Sequence, residues 1–189
     1  MFELVSFYPD WNFEWFLRIN SQWSNGFLDL VLPILRHKLT WIPLYILIAG
    51  FLIKTHKWDG LWAIIFVLIS FAISNTLSAE ILKPIYKIDR PCNDPDFKDE
   101  VTLRVHCGGG KSFPSAHATN HFALSLVLGV MLFKKYKWTL LPLLIWAGLV
   151  SYAQVYVGVH YPVDVLVGAA IGTLIGVLLG FTFNKMVRL

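Results

Sequence analysis

The sequence predicts an all-α fold: a polytopic membrane bundle of five or six transmembrane helices, with interfacial helices at the N-terminus. Three observations lead there. Hydrophobic residues make up 56% of the 189 residues, and the mean hydropathy is +0.59. Only 15% are charged, against about 25% in soluble domains. Several apolar runs approach the ~20 residues a helix needs to cross the hydrocarbon core, where a helix satisfies its own backbone groups. One domain is expected over residues 1–189, with 1–36 interfacial or an imperfect first span and 60–184 as the functional core.

The first segment, Trp11–Arg36, interleaves Trp11, Phe13, Trp15, Phe16, Trp23 and Phe27 with Glu14, Arg18, Asp29 and Arg36. Such a mixture suits helices lying in the interface, and can alternatively hold the sixth span. Met1–Asp10 shows neither a basic n-region nor a small-residue cleavage site, so no removable signal peptide is expected. Spans follow at Lys38–Lys54, Gly60–Leu82, Ser115–Phe133, Thr139–Val157 and Asp164–Asn184. The basic residues Lys54 and Lys57, then Lys134, Lys135 and Lys137, then Lys185 and Arg188, fall on one side of five spans, which should be the cytoplasm. The loop Lys83–Phe113 and the turn Gly158–Val163 then share the opposite face.

That outer loop holds the two cysteines, Cys92 and Cys107. An oxidising compartment favours a disulfide between them, and closing a loop of that length is worth about 3 kcal/mol. The pair has too few ligands for a zinc site, although His106 is adjacent. In the last span Gly168, Gly172, Gly176 and Gly180 recur at four-residue spacing. This stripe suits close helix packing within the bundle or a homodimer contact. The net charge of +4 clusters at apolar ends, which fits lipid head groups. With no basic helix face and no aromatic RNA-binding signature, nucleic acid is excluded as a partner.

Three separated stretches carry groups suited to phosphate, and all fall on the outer face. Lys83 and Arg90-Pro91 present a point charge and a planar fork. Pro114-Ser115-Ala116-His117 opens a span; Ser115 is an N-cap, and the free N–H groups of a helix start bind anions, with small Ala116 allowing close approach. His160 precedes Asp164 by four residues, so the carboxylate can accept the Nδ1 proton and leave Nε2 free to attack. His117 can then protonate a leaving oxygen. Nothing in this arrangement requires a metal or a cofactor. Gly110-Lys111-Ser112 is not a P-loop, because Val105 stands where that motif needs glycine. His117 and His121 share a helix face without a third ligand, and Asp89, Asp94, Asp96, Asp99 and Glu100 read as a solvated loop able to hold a cation.

These blocks resemble the signature of the type 2 phosphatidic acid phosphatase (PAP2) superfamily, which also includes vanadium haloperoxidases: K-x6-RP, PSGH and SR-x5-H-x3-D. The resemblance covers about Gly60–Asn184 and is similar in order, spacing and membrane setting. It implies an integral lipid phosphatase of the bacterial inner membrane with its pocket facing the periplasm or cell exterior. It would remove the terminal phosphate of a lipid phosphate or diphosphate, such as undecaprenyl diphosphate, phosphatidylglycerol phosphate, phosphatidic acid or a lipid A phosphate. His160 would form a phosphohistidine, Asp164 would orient it and His117 would be the general acid. Lys83, Arg90, Ser115, the Ala116 amide and Gln154 would hold the phosphate.

Two positions depart from the family pattern. Ala116 replaces a glycine but keeps the amide. Ala153-Gln154 replaces Ser-Arg, which removes a charge from the clamp. Lys87, Arg104 and Lys111 are candidates to compensate, and Gln154→Arg is expected to raise turnover. The rival reading is a catalytically weakened protein that binds or transports lipid phosphates.

Overall fold

A computed structural model describes residues 8–187; the signal-peptide reading of the first residues and the basic tail residue Arg188 rest wholly or partly on residues outside these. The described chain is helical throughout its regular elements. α1 (Asp10–Leu17) widens into a π turn at Arg18–Gln22. α2 (Gly26–Leu35) starts at Asn25, whose side chain accepts the Leu28 N–H at 3.0 Å, and ends at Arg36. At eight and ten residues these helices are too short to cross a bilayer.

Three stretches are long and apolar enough to cross: Lys38–Asn93, Ala116–Tyr156 and Pro162–Met186. The first contains α3 (Ile42–Asn75), a π turn at Thr76–Leu82 and the short α4 (Lys83–Tyr86). Lys57 interrupts α3 with non-helical backbone angles (φ 51°, ψ −119°), and the chain doubles back there. Gly60 makes the reversal possible: a Cβ on it would sit 2.1 Å from the carbonyl oxygen of Leu52. The second stretch divides into α5 (Ala116–Tyr136) and α6 (Leu140–Tyr156) around a 3₁₀ turn. Ser125 Oγ donates to the Leu143 carbonyl at 2.8 Å and fastens the two antiparallel rods. α7 (Pro162–Met186) closes the bundle.

α5 is the central helix, touching α3, α6 and α7. Its contact with α7 runs along the glycine stripe. A Cβ on Gly168 would meet the Ser115 carbonyl at 2.6 Å, and one on Gly172 the Thr119 carbonyl at 2.2 Å. The homodimer expectation for this stripe is thereby corrected: the glycines are buried against the chain's own α5.

Both ends of the bundle are internally consistent. At one end Phe51 and His56 pack edge-on against Tyr136, gathering the Lys57 bend and the α5–α6 turn. At the other end meet the start of α5, the end of α6, the start of α7 and the loop after α4. The N-terminal helices cover this second end. Asn20, fully buried, donates to the Thr102 carbonyl at 2.9 Å and the Tyr156 carbonyl at 2.8 Å, and accepts from the Thr102 N–H at 2.8 Å. One side chain thus ties the π turn, the outer loop and the end of α6.

Candidate active site

The covered end of the bundle contains the buried Asp94, His160 and Asp164. Asp164 sits in the first turn of α7, where Pro162 supplies a preset φ at the first helical position. Its carboxylate is fully buried and collects four donors. Oδ2 accepts the Tyr161 N–H at 2.8 Å, the Ser112 hydroxyl, and His160 Nδ1 at 3.3 Å; Oδ1 accepts the Tyr8 hydroxyl. Ser112 Oγ also lies 3.2 Å from His160 Nδ1. Because the serine gives its proton to Asp164, both oxygens facing Nδ1 are acceptors. The imidazole therefore carries its proton on Nδ1 and leaves Nε2 unprotonated, as a nucleophile requires. Burial, reinforced by Lys83 and Arg90, holds the His160 pKa down to about 4 against the pull of Asp164.

The cations converge on the same place. Lys83 opens α4, and its Nζ donates to the Lys111 carbonyl at 2.7 Å. Arg90 donates to the Cys107 carbonyl, and its guanidinium lies beneath the glycine loop, 3.4 Å from the Cβ position of Gly108 and 3.5 Å from that of Gly110. The Cys92–Cys107 disulfide ties the chain just after Arg90 to the residue before the glycine loop, whose carbonyl accepts from Arg90. Lys83 and Arg90 are within electrostatic range of each other and of His160.

Ser115 caps α5, accepting the Ala118 N–H at 3.4 Å, while its own N–H donates to the Asp164 carbonyl at 3.0 Å. The starts of α5 and α7 are thus locked together, which brings Ala116 and His117 beside the His160–Asp164 pair. His117 is within electrostatic range of His160, Lys83 and Arg36. His121, one turn along, donates from Nδ1 to the His117 carbonyl at 2.9 Å and packs edge-on against Trp146.

Gln154 is fully buried near the end of α6. Its Oε1 accepts from Arg36 Nε at 3.2 Å. None of the residues expected to compensate for it does so. Arg104 pairs with Asp29, stacks 4.3 Å from the Tyr156 ring centroid and donates to the Asn20 and Tyr156 carbonyls. Lys111 pairs with Asp89 at 2.7 Å, and Lys87 is exposed. The acidic loop is likewise committed: Asp94 accepts the Tyr161 hydroxyl at 2.9 Å, and no group of three His, Cys, Asp or Glu side chains converges among the described residues.

A profile of the PAP2 superfamily matches residues 60–186 of the sequence. The chain belongs to the PAP2 superfamily. It is 30% identical over 169 residues to the lipid A 4'-phosphatase of Bacteroides thetaiotaomicron, covering 88% of this chain and 74% of that one. It is 34% identical over 158 residues to the lipid A 4'-phosphatase of Porphyromonas gingivalis, covering 81% and 64%. A third relative, the undecaprenyl-diphosphatase of Sulfolobus acidocaldarius, is 35% identical over 128 residues, covering 68% and 56%. The chain therefore spans under two thirds of the latter two. The fold superposes on the transmembrane PAP2-type phosphatidylglycerolphosphate phosphatase of Bacillus subtilis with a TM-score of 0.73 at 26% identity, covering 93% of this chain and 86% of that one. LpxE of Aquifex aeolicus shares the fold, with a TM-score of 0.69 at 23% identity over 94% and 98% of the two chains. The protein is thus an all-helical, membrane-embedded PAP2 member.

Reading the sequence missed Arg36, Tyr8 and Ser112. Ser112 was visible only as part of a failed P-loop match. Arg36 was a cation at the end of an aromatic segment, a weak signal that interface snorkelling explains equally well. Tyr8 had no signal.

Proposed function

We propose that this protein is a phosphohistidine-forming lipid phosphatase. The observation that carries the reading is His160 with Nδ1 fixed by Asp164 and Ser112, its Nε2 free, beside a second imidazole and a group of cations. In the first step Nε2 attacks phosphorus, a P–N bond forms and the P–O bond to the lipid breaks. The leaving oxygen takes a proton from His117, whose imidazolium form the negative charge of the bound phosphate stabilises. Asp164 stabilises the positive charge developing on His160, and Lys83, Arg90 and the α5 N-terminus stabilise the phosphoryl oxygens. In the second step His117 takes a proton from water as that water attacks phosphorus. The P–N bond then breaks, releasing inorganic phosphate and returning neutral His160. Every group in this cycle is a side chain or a backbone amide.

A lipid substrate is favoured by an apolar cavity of about 330 Å³ between the two arms of α3 and helices α5 and α6, lined by Tyr45, Leu52, Phe71, Leu124, Leu128 and Trp146 among others. Trp146 touches His121, one helical turn from His117, so the cavity leads toward the chemistry. Acyl chains lying there would hold a head-group phosphate at the histidines. The similarity to the two lipid A 4'-phosphatases favours a lipid A-type phosphate, with polyprenyl diphosphate the next class. The disulfide and the lysines at the opposite end support a pocket facing the extracytoplasmic side of a bacterial inner membrane.

The test is phosphate release by purified protein in detergent, with a chelator present, from lipid A 4'-phosphate, undecaprenyl diphosphate and phosphatidic acid. His160→Ala should release none. Lipid binding without release by the unaltered protein would favour the rival role in lipid-phosphate transport.

A further inference from the structure

Position 154 lacks the positive charge of the family's third motif, yet the site is not short of a cation. Arg36 reaches the same spot from a different element. As the C-terminal cap of α2 it leaves that helix with its N–H bonded to the Leu32 carbonyl at 3.1 Å, and its Nε donates to Gln154 Oε1 at 3.2 Å. The glutamine is held in turn by full burial in α6. Among the described residues no carboxylate pairs with Arg36, and its terminal NH₂ groups make no hydrogen bond. Arg90 is close enough to interact with it electrostatically, and so is His117. Burial and the positive charge of Arg90 lower the Arg36 pKa. Asp164 offsets Arg90 but no carboxylate offsets Arg36, and like charges held together are costly unless an anion joins them.

We propose that Arg36 contacts the substrate phosphate and supplies the charge that Gln154 lacks, with Gln154 as the positioning residue that aims the guanidinium. The idea rests on the pocket being a phosphate site, as argued above. It changes the expectation for Gln154→Arg. A second guanidinium at position 154 would displace Arg36 instead of filling an empty place, so the single substitution brings no gain. The N-terminal helices accordingly belong to the catalytic apparatus.

Relocating the charge tests this. Arg36→Gln should lower kcat/KM about 10²–10³-fold, the usual loss for one oxyanion-stabilising donor. Arg36→Lys should fall between it and the unaltered protein. The double variant Arg36→Gln/Gln154→Arg returns the charge from α6 and should recover at least about tenfold of the loss, given that about 1.4 kcal/mol corresponds to a factor of ten. Orthovanadate affinity, measured on the same proteins by calorimetry, should weaken in Arg36→Gln and return in the double variant. A merely structural Arg36 predicts no recovery, and that outcome overturns the proposal. So does activity or vanadate affinity within threefold of the unaltered protein in Arg36→Gln. Should the unaltered protein hydrolyse no lipid phosphate, the phosphatase reading fails while the vanadate series still judges Arg36. An unaltered protein that neither hydrolyses a lipid phosphate nor binds vanadate overturns both.

Discussion

At the scale of single residues, the site is organised around one carboxylate. Asp164 accepts from Tyr8, Ser112, His160 and the Tyr161 backbone, so it can hold the imidazole only in the orientation that frees Nε2. In the proposed mechanism the low pKa of His160 sets the acid limb of the reaction. That mechanism uses neutral His160, and the folded protein lowers its pKa from the ordinary 6.5 to about 4. The neutral form therefore persists as pH falls through 6.5 and is lost only as pH falls through about 4. A plot of log kcat/KM against pH should show its His160 limb near 4; a limb at the ordinary histidine value would contradict the burial argument. Tyr8 is buried, and burial together with Asp164 pushes its phenol upward, so it stays the donor in their bond. Tyr8→Phe removes a hydrogen bond to a charged group, worth about 1.5–3 kcal/mol, and should lower kcat about 10- to 100-fold with little change in KM. A KM effect alone would instead place Tyr8 in substrate binding.

At the scale of elements, helix starts and one loop do the positioning. The Ser115 N–H bonded to the Asp164 carbonyl couples the beginnings of α5 and α7, and the four glycines of α7 let the two helices approach closely enough for that bond. Periodicity revealed the glycine stripe but not its partner, because a smooth helix face fits a neighbouring helix and a second copy equally well. The cysteine-closed loop has a comparable role for Arg90. Cross-linking residues 92 and 107 restricts the backbone whose Cys107 carbonyl accepts from Arg90. The double substitution Cys92→Ser/Cys107→Ser should raise KM for the phosphate substrate and lower the melting temperature, with kcat less affected; unchanged kinetics would show that Arg90 is held without the bridge. Boundaries of the apolar rods were readable within a few residues, since the membrane-length pattern dominates local propensity. The π turns at Arg18–Gln22 and Thr76–Leu82 were not, because a single extra residue in a helical turn leaves no mark on hydrophobic pattern.

At the scale of the whole molecule, an apolar cavity between rods is lined by Trp146, whose ring packs against His121, one helical turn from His117. This arrangement predicts chain-length dependence. Ala49→Trp should fill part of the cavity, lowering kcat/KM for long-chain lipid phosphates while sparing a soluble phosphate ester. Equal losses on both substrates would argue that acyl chains lie elsewhere. The N-terminal segment also changes meaning at this scale. Its aromatic and charged mixture read as interfacial, and its helices are indeed short, but Tyr8, Asn20 and Arg36 each connect it to the end of the bundle that holds the candidate site.

From its residues alone this chain declared a helical membrane protein, one face bearing the phosphate-type groups, and two histidines with an aspartate in the spacing of a known superfamily. Those are properties of composition, period and local spacing, and each is written within a few dozen residues. Tertiary structure alone decided that Arg36 meets Gln154 and what the glycine stripe packs against. Both depend on contacts between residues far apart in the chain, such as Arg36 with Gln154 and Gly172 with Thr119, whose side chains or backbones have no sequence periodicity in common.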